Sequence, residues 1–173
     1  MKCPPVMARE AERQEVLAEY GLSSAQQLPS LDSIVRLAAS AFGMPAAAVN
    51  MVGNDHVYFA ASFGIGEVDM RRDVSFCAHA ITQDEVMVVP DATIDNRFHD
   101  NPLVTGDAGL RFYAGAPLLS PEGFALGALC VIDSNPRTDF SQGDRDRLRE
   151  LADMAAYRLE IHRGELQAQK KTR

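Results

Sequence analysis

The N-terminal part of the chain carries two segments whose apolar residues recur at helical spacing. Residues 8–20 have a thin apolar stripe and end at Gly21, a residue type that favours the left-handed backbone of a helix end. Residues 31–42 have a broad stripe and follow Ser30, a candidate N-cap. The pattern therefore predicts two helices, and the second one packs on a wide apolar surface.

A third and longer helix is predicted near the C-terminus. Ser141 and Asp144 have the spacing of a capping box, and helical periodicity continues to about residue 169. At 1.5 Å per residue such a helix is about 40 Å long. Its apolar row has heptad spacing, with Leu148, Ala152, Ala155, Leu159, His162 and Leu166. We therefore predict a homodimer formed through residues 8–20 and 141–169.

The middle of the chain has the two-residue period of β-strands. Apolar and polar positions alternate, and tight turns such as Gly53-Asn54-Asp55 separate the segments. The predicted strands are residues 46–52, 56–62, 86–89, 111–119 and 124–133. One face of the last strand is predicted to carry Phe124, Leu126, Ala128, Cys130 and Ile132. This alternation suits an antiparallel sheet with two distinct faces.

Two segments between the strands differ from this pattern. Residues 74–81 form an apolar helical segment that also contains Cys77 and His79. Residues 91–109 are polar and broken by Pro and Gly, with room only for short helical turns. Loops of this length in compact domains are usually functional or disordered. Small residues on the last hairpin leave space above the sheet, which can hold a helix or a ligand.

Composition limits the class of protein. The 173 residues suit one domain at positions 8–165, with a disordered tail at 1–7 and a basic tail at 166–173. A net charge of -7 and a pI near 5.0 argue against a nucleic-acid partner. No apolar segment has the length of a membrane span, so we expect a cytoplasmic protein. Three cysteines at irregular spacing suit a reducing compartment.

Several motifs together resemble the GAF domain, a regulatory small-molecule module of signalling proteins. They are Asp73-Val74-Ser75-Phe76-Cys77-Ala78-His79-Ala80-Ile81, Val88-Val89-Pro90-Asp91-Ala92, Arg97-Phe98, Asn101-Pro102-Leu103-Val104, Arg111-Phe112-Tyr113-Ala114-Gly115-Ala116-Pro117-Leu118 and Leu126-Gly127-Ala128-Leu129-Cys130-Val131-Ile132-Asp133. They are similar to a bacterial sensory subgroup fused to sensor kinases and diguanylate cyclases. The resemblance covers about residues 10–165 and indicates the fold without naming a ligand.

The resemblance implies an α+β fold with a central antiparallel sheet of five to six strands and terminal helices on one face. On the other face it implies a ligand pocket roofed by short helices and loops. Residues 74–81 would form its wall, residues 91–109 its lid, and the last hairpin its floor. The expected ligand-binding residues are Phe76, Cys77, His79, Asp91, Arg97, Phe98, His99, Arg111 and Tyr113. Arg97 or Arg111 could orient an anionic or amide-bearing ligand, or could pair with nearby aspartates and hold the lid closed.

No cofactor follows from these motifs. Bilin-binding members attach the pigment through a cysteine usually followed directly by histidine, whereas Ala78 separates Cys77 from His79. The cyclic-nucleotide signature of the family is only echoed at residues 96–100. A metal group of Cys77, His79, Asp91 and His99 or Asp100 has no diagnostic spacing. We therefore predict no metal site and no covalent bilin, and the cofactor stays unassigned.

The function expected from the sequence is a dimeric, non-enzymatic sensor that binds a small molecule and passes its state through the terminal helices to a separate effector protein. Two alternatives stay open. Cys77 could serve a thiol enzyme similar to the free methionine sulfoxide reductases, although no second cysteine lies near it in sequence. Cys77 could also be a small buried hydrophobe in a ligand-free dimerisation scaffold.

Overall fold

A six-stranded sheet forms the centre of the computed structural model, which describes residues 1–22, 26–66 and 68–172. The strands are β1 Ala46–Val52, β2 His56–Phe63, β3 Met70–Arg71, β4 Met87–Val89, β5 Phe112–Leu119 and β6 Ala125–Asp133. Their order across the sheet is β3-β2-β1-β6-β5-β4, and every neighbouring pair is antiparallel. The predicted α+β class with an antiparallel sheet is confirmed, and the short β3 is a strand that the sequence did not predict.

Five α-helices surround the sheet, with short 3₁₀ turns at residues 29–31, 72–74 and 92–94. The helices are α1 Glu10–Ala18, α2 Asp32–Ala41, α3 Phe76–Ala80, α4 Pro102–Thr105 and α5 Gln142–Lys171. The predicted N-cap at Ser30 is wrong, because that residue lies inside a 3₁₀ turn and Leu31 occupies the N-cap of α2. The capping box of Ser141 and Asp144 is present at the start of α5.

The three long helices pack on one face of the sheet, as predicted. Buried side chains of α1, α2 and α5 form a single apolar core with the strands. The heptad row of α5 faces this core, since Leu148, Ala152, Ala155 and Leu159 are all buried within the chain. Further along, a β-carbon added to Gly21 would lie 2.9 Å from Leu166 Cδ1, so the row continues against the end of α1. This row is therefore used inside the chain.

The opposite face of the sheet carries α3, α4 and a second apolar core. The predicted face of β6 is wrong in its first half: Leu126 belongs to the core under the long helices, whereas Ala128 and Cys130 face α3. The cause is an irregularity in the register with β5, between Leu118 and Leu119, that lets one residue bulge out of the alternation. Because of the bulge, Leu126 faces the long helices, whereas Ala128 and Cys130 face α3.

A buried arginine joins α1 to the edge of the sheet core. Arg13 is 1% exposed and donates hydrogen bonds to the carbonyl oxygens of Val52 at 2.8 Å, Ala125 at 3.2 Å and Leu126 at 3.4 Å. Glu10 balances its charge through two hydrogen bonds of 2.9 Å. The thin apolar stripe of α1 is therefore supplemented by a charged anchor.

At the ends of the chain, residues 1–7 lie extended beside α3, where the Lys2 carbonyl contacts His79, and α5 continues to Lys171. The predicted limits of the disordered and basic tails stay predictions. In the part of the chain that the structure describes, no helix combines the length and the apolar character needed to cross a membrane.

Candidate functional site

A cavity of about 350 Å³ lies between the sheet and the elements around α3. One wall is formed by Ser75, Phe76 and Cys77 at the start of α3. Ser75 accepts a hydrogen bond from the Ala78 backbone and so caps the helix at this point. The apolar lining comes from strands and loops, with Phe59, Ile65, Met70, Leu103, Leu110 and Ile132. This volume lies at the lower end of the range of small-molecule sites in proteins.

The floor of the cavity carries a compact polar cluster on otherwise apolar walls. Asn50 Nδ2 donates to Cys77 Sγ at 3.2 Å and lies 3.9 Å from Cys130 Sγ. The Tyr113 hydroxyl donates to Cys77 Sγ at 3.1 Å. All four side chains are buried and line the cavity. We call these four residues, Asn50, Cys77, Tyr113 and Cys130, the thiol cluster.

Hydrogen bonding separates the acidities of the two thiols. The neighbouring Cys130 thiol is the largest influence that lowers the pKa of Cys77, and the hydrogen bonds from Tyr113 and Asn50 lower it further against the effect of burial. The pKa of Cys130 is raised well above its usual range by the neighbouring Cys77 sulfur and by burial. Burial and the neighbouring sulfur also raise the pKa of Tyr113. Cys77 is therefore the more acidic thiol of the pair and the one that forms a thiolate more readily, whereas Cys130 and Tyr113 keep their protons.

Asn50, one of the lining residues, carries an unused acceptor, and the lining has little charge. Asn50 Oδ1 is buried and accepts no hydrogen bond from any residue that the structure describes. Such an atom costs about 1–3 kcal/mol unless a partner supplies the bond. Among the described lining residues Asp133 is the only one with a formal charge, and Arg137 already neutralises it at 2.7 Å. The lining is therefore mostly apolar and has little net charge.

Three of the residues predicted to bind a ligand line this cavity, namely Phe76, Cys77 and Tyr113. Phe98 lies directly behind them. Its ring stacks on Phe76 with 3.9 Å between centroids, and the edge of His79 meets it at 4.8 Å. Phe98 therefore supports the wall of the cavity from the core side.

The remaining predicted residues lie away from the cavity. His79 Nε2 is 3.2 Å from the Lys2 carbonyl, and burial lowers the pKa of its imidazole. His79 thus points away from Cys77, and the two do not form a reactive pair. The others lie along the lid, where Asp91 caps a 3₁₀ turn, His99 is exposed, Arg97 pairs with Asp95 at 2.8 Å and Arg111 donates to the Val104 carbonyl at 2.9 Å.

Sequence reasoning missed two members of the thiol cluster, Asn50 and Cys130, and one wall of the cavity. Asn50 is a polar residue in an apolar strand, and this contrast was the available signal for it. The missed wall comes from Ile65 and Val68, which follow β2, and from Met70 at the start of β3. Within the described ranges, no three His, Cys, Asp or Glu side chains come together as a metal site.

A chain of ion pairs connects this site to α1. Arg72 lies in the 3₁₀ turn just before Ser75, and its guanidinium contacts the Glu10 carboxylate, which also binds Arg13. Burial acts to raise the pKa of Glu10, but hydrogen bonds from Arg13, Arg72 and Gln14 lower it to about 2. The wall of the cavity and the first terminal helix are thus held by one carboxylate.

A second and larger depression of about 850 Å³ lies at the β2 edge, beside His56, Tyr58 and Asp69. His56 and Asp69 are exposed, with 37% and 87% of their side chains accessible. The ionisable groups of this depression are therefore solvated. Among its described lining residues no polar side chain is buried, in contrast to the cavity over the thiol cluster.

Comparison with known proteins gives a consistent family. The family model described as GAF domain matches residues 29–159. A cyclic di-GMP phosphodiesterase of Pseudomonas aeruginosa is 38% identical over 159 residues, which are 92% of this chain and 27% of that protein. The chain therefore spans about a quarter of the length of this relative.

Solved structures share the fold at low sequence identity. The free methionine-R-sulfoxide reductase of Neisseria meningitidis, determined with its substrate, has a TM-score of 0.66 and 20% identity over 93% of this chain and 96% of that one. The GAF domain of a phosphoenolpyruvate-protein phosphotransferase from Acinetobacter has a TM-score of 0.60 and 18% identity over 95% of this chain and 99% of that one. At these identities the likeness is one of fold.

Proposed function

Because this chain belongs to the GAF domain family, we propose that it is a sensory regulatory module whose cavity over the thiol cluster binds a small molecule. The observation that carries the proposal is the combination of a 350 Å³ apolar cavity with the unsatisfied Asn50 Oδ1 on its floor. A bound molecule that donates a hydrogen bond to this oxygen would remove its desolvation cost.

The ligand proposed for this cavity is neutral and has an apolar body. Arg97 and Arg111, which could have held an anion, are engaged by Asp95 and by backbone carbonyls outside the cavity. Since a water molecule occupies about 30 Å³ in the liquid, the cavity holds on the order of ten groups of that size. Phosphate-bearing nucleotides and pigments with several carboxylates fit this environment poorly.

Signal transmission is proposed to run through Glu10. A ligand that contacts the Ser75 to Cys77 wall changes the position of the preceding Arg72, and Arg72 shares the Glu10 carboxylate with Arg13. The ligand thereby favours one arrangement of α1 against the sheet, which is a population shift between two packings.

The output is proposed to pass through a homodimer. The outer side of α5 exposes Met154, Tyr157 and Ile161 at helical spacing. Exposed apolar groups of this kind often mark an interface. Because the heptad row itself is buried inside the chain, this outer stripe replaces it as the proposed contact between two copies. The effector is proposed to be an enzyme of cyclic di-GMP turnover, as the name of the Pseudomonas relative suggests.

Native mass spectrometry tests the ligand proposal. The protein is equilibrated with a small-molecule extract of bacterial cells, desalted and weighed under native and denaturing conditions. We expect a non-covalent adduct on the wild-type protein and its loss in Ala108→Trp, which places an indole at the exposed rim of the cavity. Ala168→Trp, on the exposed end of α5, is the matched control. An adduct that persists in the rim variant would contradict binding in this cavity.

A second candidate is reduction of free methionine sulfoxide, favoured by the position of Cys130 beside Cys77. Consumption of free methionine sulfoxide with dithiothreitol as the reductant, in the wild type and in Cys77→Ser, measures this activity. Turnover that depends on Cys77 would replace the sensor proposal with an enzymatic one.

A further inference from the structure

The two buried cysteines have a relationship that ligand binding alone does not require. Cys77 lies on α3 and Cys130 lies on β6, and their sulfur atoms approach the same Asn50 amide at 3.2 Å and 3.9 Å. Both residues line the cavity, which offers a small solute a route toward the buried pair. The third cysteine, Cys3, is exposed at the N-terminus.

We infer that Cys77 and Cys130 form a peroxide-sensitive thiol pair, which a small hydroperoxide entering the cavity converts into a disulfide between α3 and β6. This inference uses the cavity as a route of entry and does not depend on the ligand or on the effector proposed above. It adds a modification site to the module.

The chemistry is a two-electron oxidation in two steps. The Cys77 thiolate attacks the outer oxygen of the hydroperoxide, the O–O bond breaks, and the alkoxide or hydroxide leaves and takes a proton from solvent. The product is a sulfenic acid on Cys77. The Cys130 sulfur then attacks the Cys77 sulfur, and hydroxide leaves with the Cys130 proton as water. Two thiols and one hydroperoxide thus give one disulfide, one alcohol or water molecule, and one further water.

The cluster assigns these two roles to particular cysteines. Cys77 accepts hydrogen bonds from Tyr113 and Asn50, and donors of this kind stabilise a thiolate in an apolar setting. Cys130 has only the more distant contact of 3.9 Å with Asn50, and its pKa is raised by Cys77 and by burial. Cys77 is accordingly the attacking thiol and Cys130 the resolving one, which still carries the proton needed to release water.

The disulfide would act on the same element that is proposed to sense the ligand. It would fix α3 on β6 and remove the acceptor that the Tyr113 hydroxyl and the Asn50 amide now use. Because Arg72 lies in the 3₁₀ turn that precedes α3, the constraint lies close to the start of the ion-pair chain that leads to α1.

Intact-mass measurement and peptide mapping on the full chain test the inference. Reduced protein is exposed to hydrogen peroxide, blocked with N-ethylmaleimide and digested without reductant. In Cys3→Ser we expect a protein lighter by two hydrogen atoms, no blocked thiols, and a peptide in which Cys77 is linked to Cys130. Dithiothreitol should restore both thiols. Because Cys3→Ser removes the exposed thiol, only the buried pair can react in this background.

The single replacements distinguish the pair from independent oxidation. In Cys3→Ser with Cys130→Ser, we expect Cys77 to accumulate as a sulfenic acid that dimedone traps. In Cys3→Ser with Cys77→Ser, we expect Cys130 to react at least about tenfold more slowly, as its protonated thiol is a poor nucleophile. The inference would be overturned if, under conditions that oxidise Cys3 of the wild type, both buried thiols stayed reduced and were still alkylated by N-ethylmaleimide. Equal reactivity of the two thiols would overturn it as well. Either result leaves the native-mass test of ligand binding unaffected.

Discussion

At the scale of single residues, the state of Cys77 follows from two opposing effects. Burial in an apolar core usually raises the pKa of a thiol and makes it inert. Here the neighbouring Cys130 thiol and the hydrogen bonds from Tyr113 and Asn50 act in the other direction and lower that pKa. A buried cysteine can therefore be reactive where its surroundings supply donors and a cavity supplies access.

Removing one donor should reverse part of this effect. In a Cys3→Ser background, we expect Tyr113→Phe to raise the pKa of Cys77, because the hydroxyl that donates at 3.1 Å is lost. The rate of alkylation by iodoacetamide, followed against pH, should shift its midpoint upward and fall severalfold at pH 7. An unchanged pH profile would show that the Tyr113 hydroxyl does not stabilise the thiolate.

The buried arginine provides a test of stability at the same scale. Arg13→Met removes the guanidinium donor from three backbone carbonyls and one of the three partners of Glu10, so we expect a loss of about 2–4 kcal/mol in the free energy of unfolding. Urea unfolding measures it. Arg9→Met on the same helix is the matched control, since Arg9 is exposed and should cost little. Equal losses in the two variants would contradict the anchoring role of Arg13.

The residues that sequence reasoning placed correctly and those it missed differ in a physical way. Phe76, Cys77 and Tyr113 are local features of apolar segments, and they line the cavity. Arg97 and Arg111 have long side chains whose direction depends on which neighbour they bind, so a position near the lid did not fix their target. The bulge that places Leu126 on the opposite face from Ala128 and Cys130 depends on pairing with β5, which the β6 segment alone does not encode.

At the scale of secondary-structure elements, helix and strand bounds were close to the prediction because hydrophobic periodicity reports them directly. Periodicity does not identify the surface against which a helix face packs. The heptad row of α5 is compatible with a coiled coil, yet its first half is buried against the sheet of the same chain. The spacing of apolar residues specifies a buried stripe and leaves open which surface buries it.

The docking of α1 should depend on pH through Glu10. The pKa of this carboxyl is about 2 in the folded chain and 4.5 ordinarily, so its contribution to stability is complete above about pH 4.5 and is lost as pH falls toward 2. We expect Glu10→Gln to lower the free energy of unfolding by about 1–2 kcal/mol at pH 7, with the difference shrinking between pH 4.5 and pH 2. Urea titrations at several pH values measure it.

Glu12 on the same helix is the control for that experiment. It pairs with Arg9 in water, and an exposed pair of this kind adds little to stability. Glu12→Gln should therefore show a smaller difference at pH 7. The free energies of unfolding of the wild type and of Glu10→Gln could instead differ by the same amount from pH 7 to pH 2. That result would contradict the dependence of stability on the ionisation of Glu10.

At the scale of the whole molecule, the two faces of the sheet hold different elements. One face holds the long helices and the other holds the cavity, and the ion pairs of Glu10 lie near the ends of the two central strands, β1 and β6. We propose that a change at the cavity wall reaches α1 on the opposite face through these ion pairs.

The proposed homodimer can be tested with two exposed isoleucines. Ile161→Glu places a charge in the outer stripe of α5, and Ile94→Glu places one on the lid, where the side chain is 81% exposed. Size exclusion with light scattering should show a dimer for the wild type and for Ile94→Glu, and at least about a tenfold weaker dimer for Ile161→Glu. A monomeric wild type at micromolar concentration would contradict the proposed interface.

The most direct test of the central claim is hydrogen–deuterium exchange of the α1 amides with and without the molecule that native mass spectrometry finds in the cavity. We expect saturation with this molecule to change exchange both at residues 72–80 and in α1, and we expect Glu10→Gln to keep the first change and to lose the second. Protection confined to the cavity wall in the wild-type protein, with α1 unchanged, would contradict transmission from the cavity to the terminal helix.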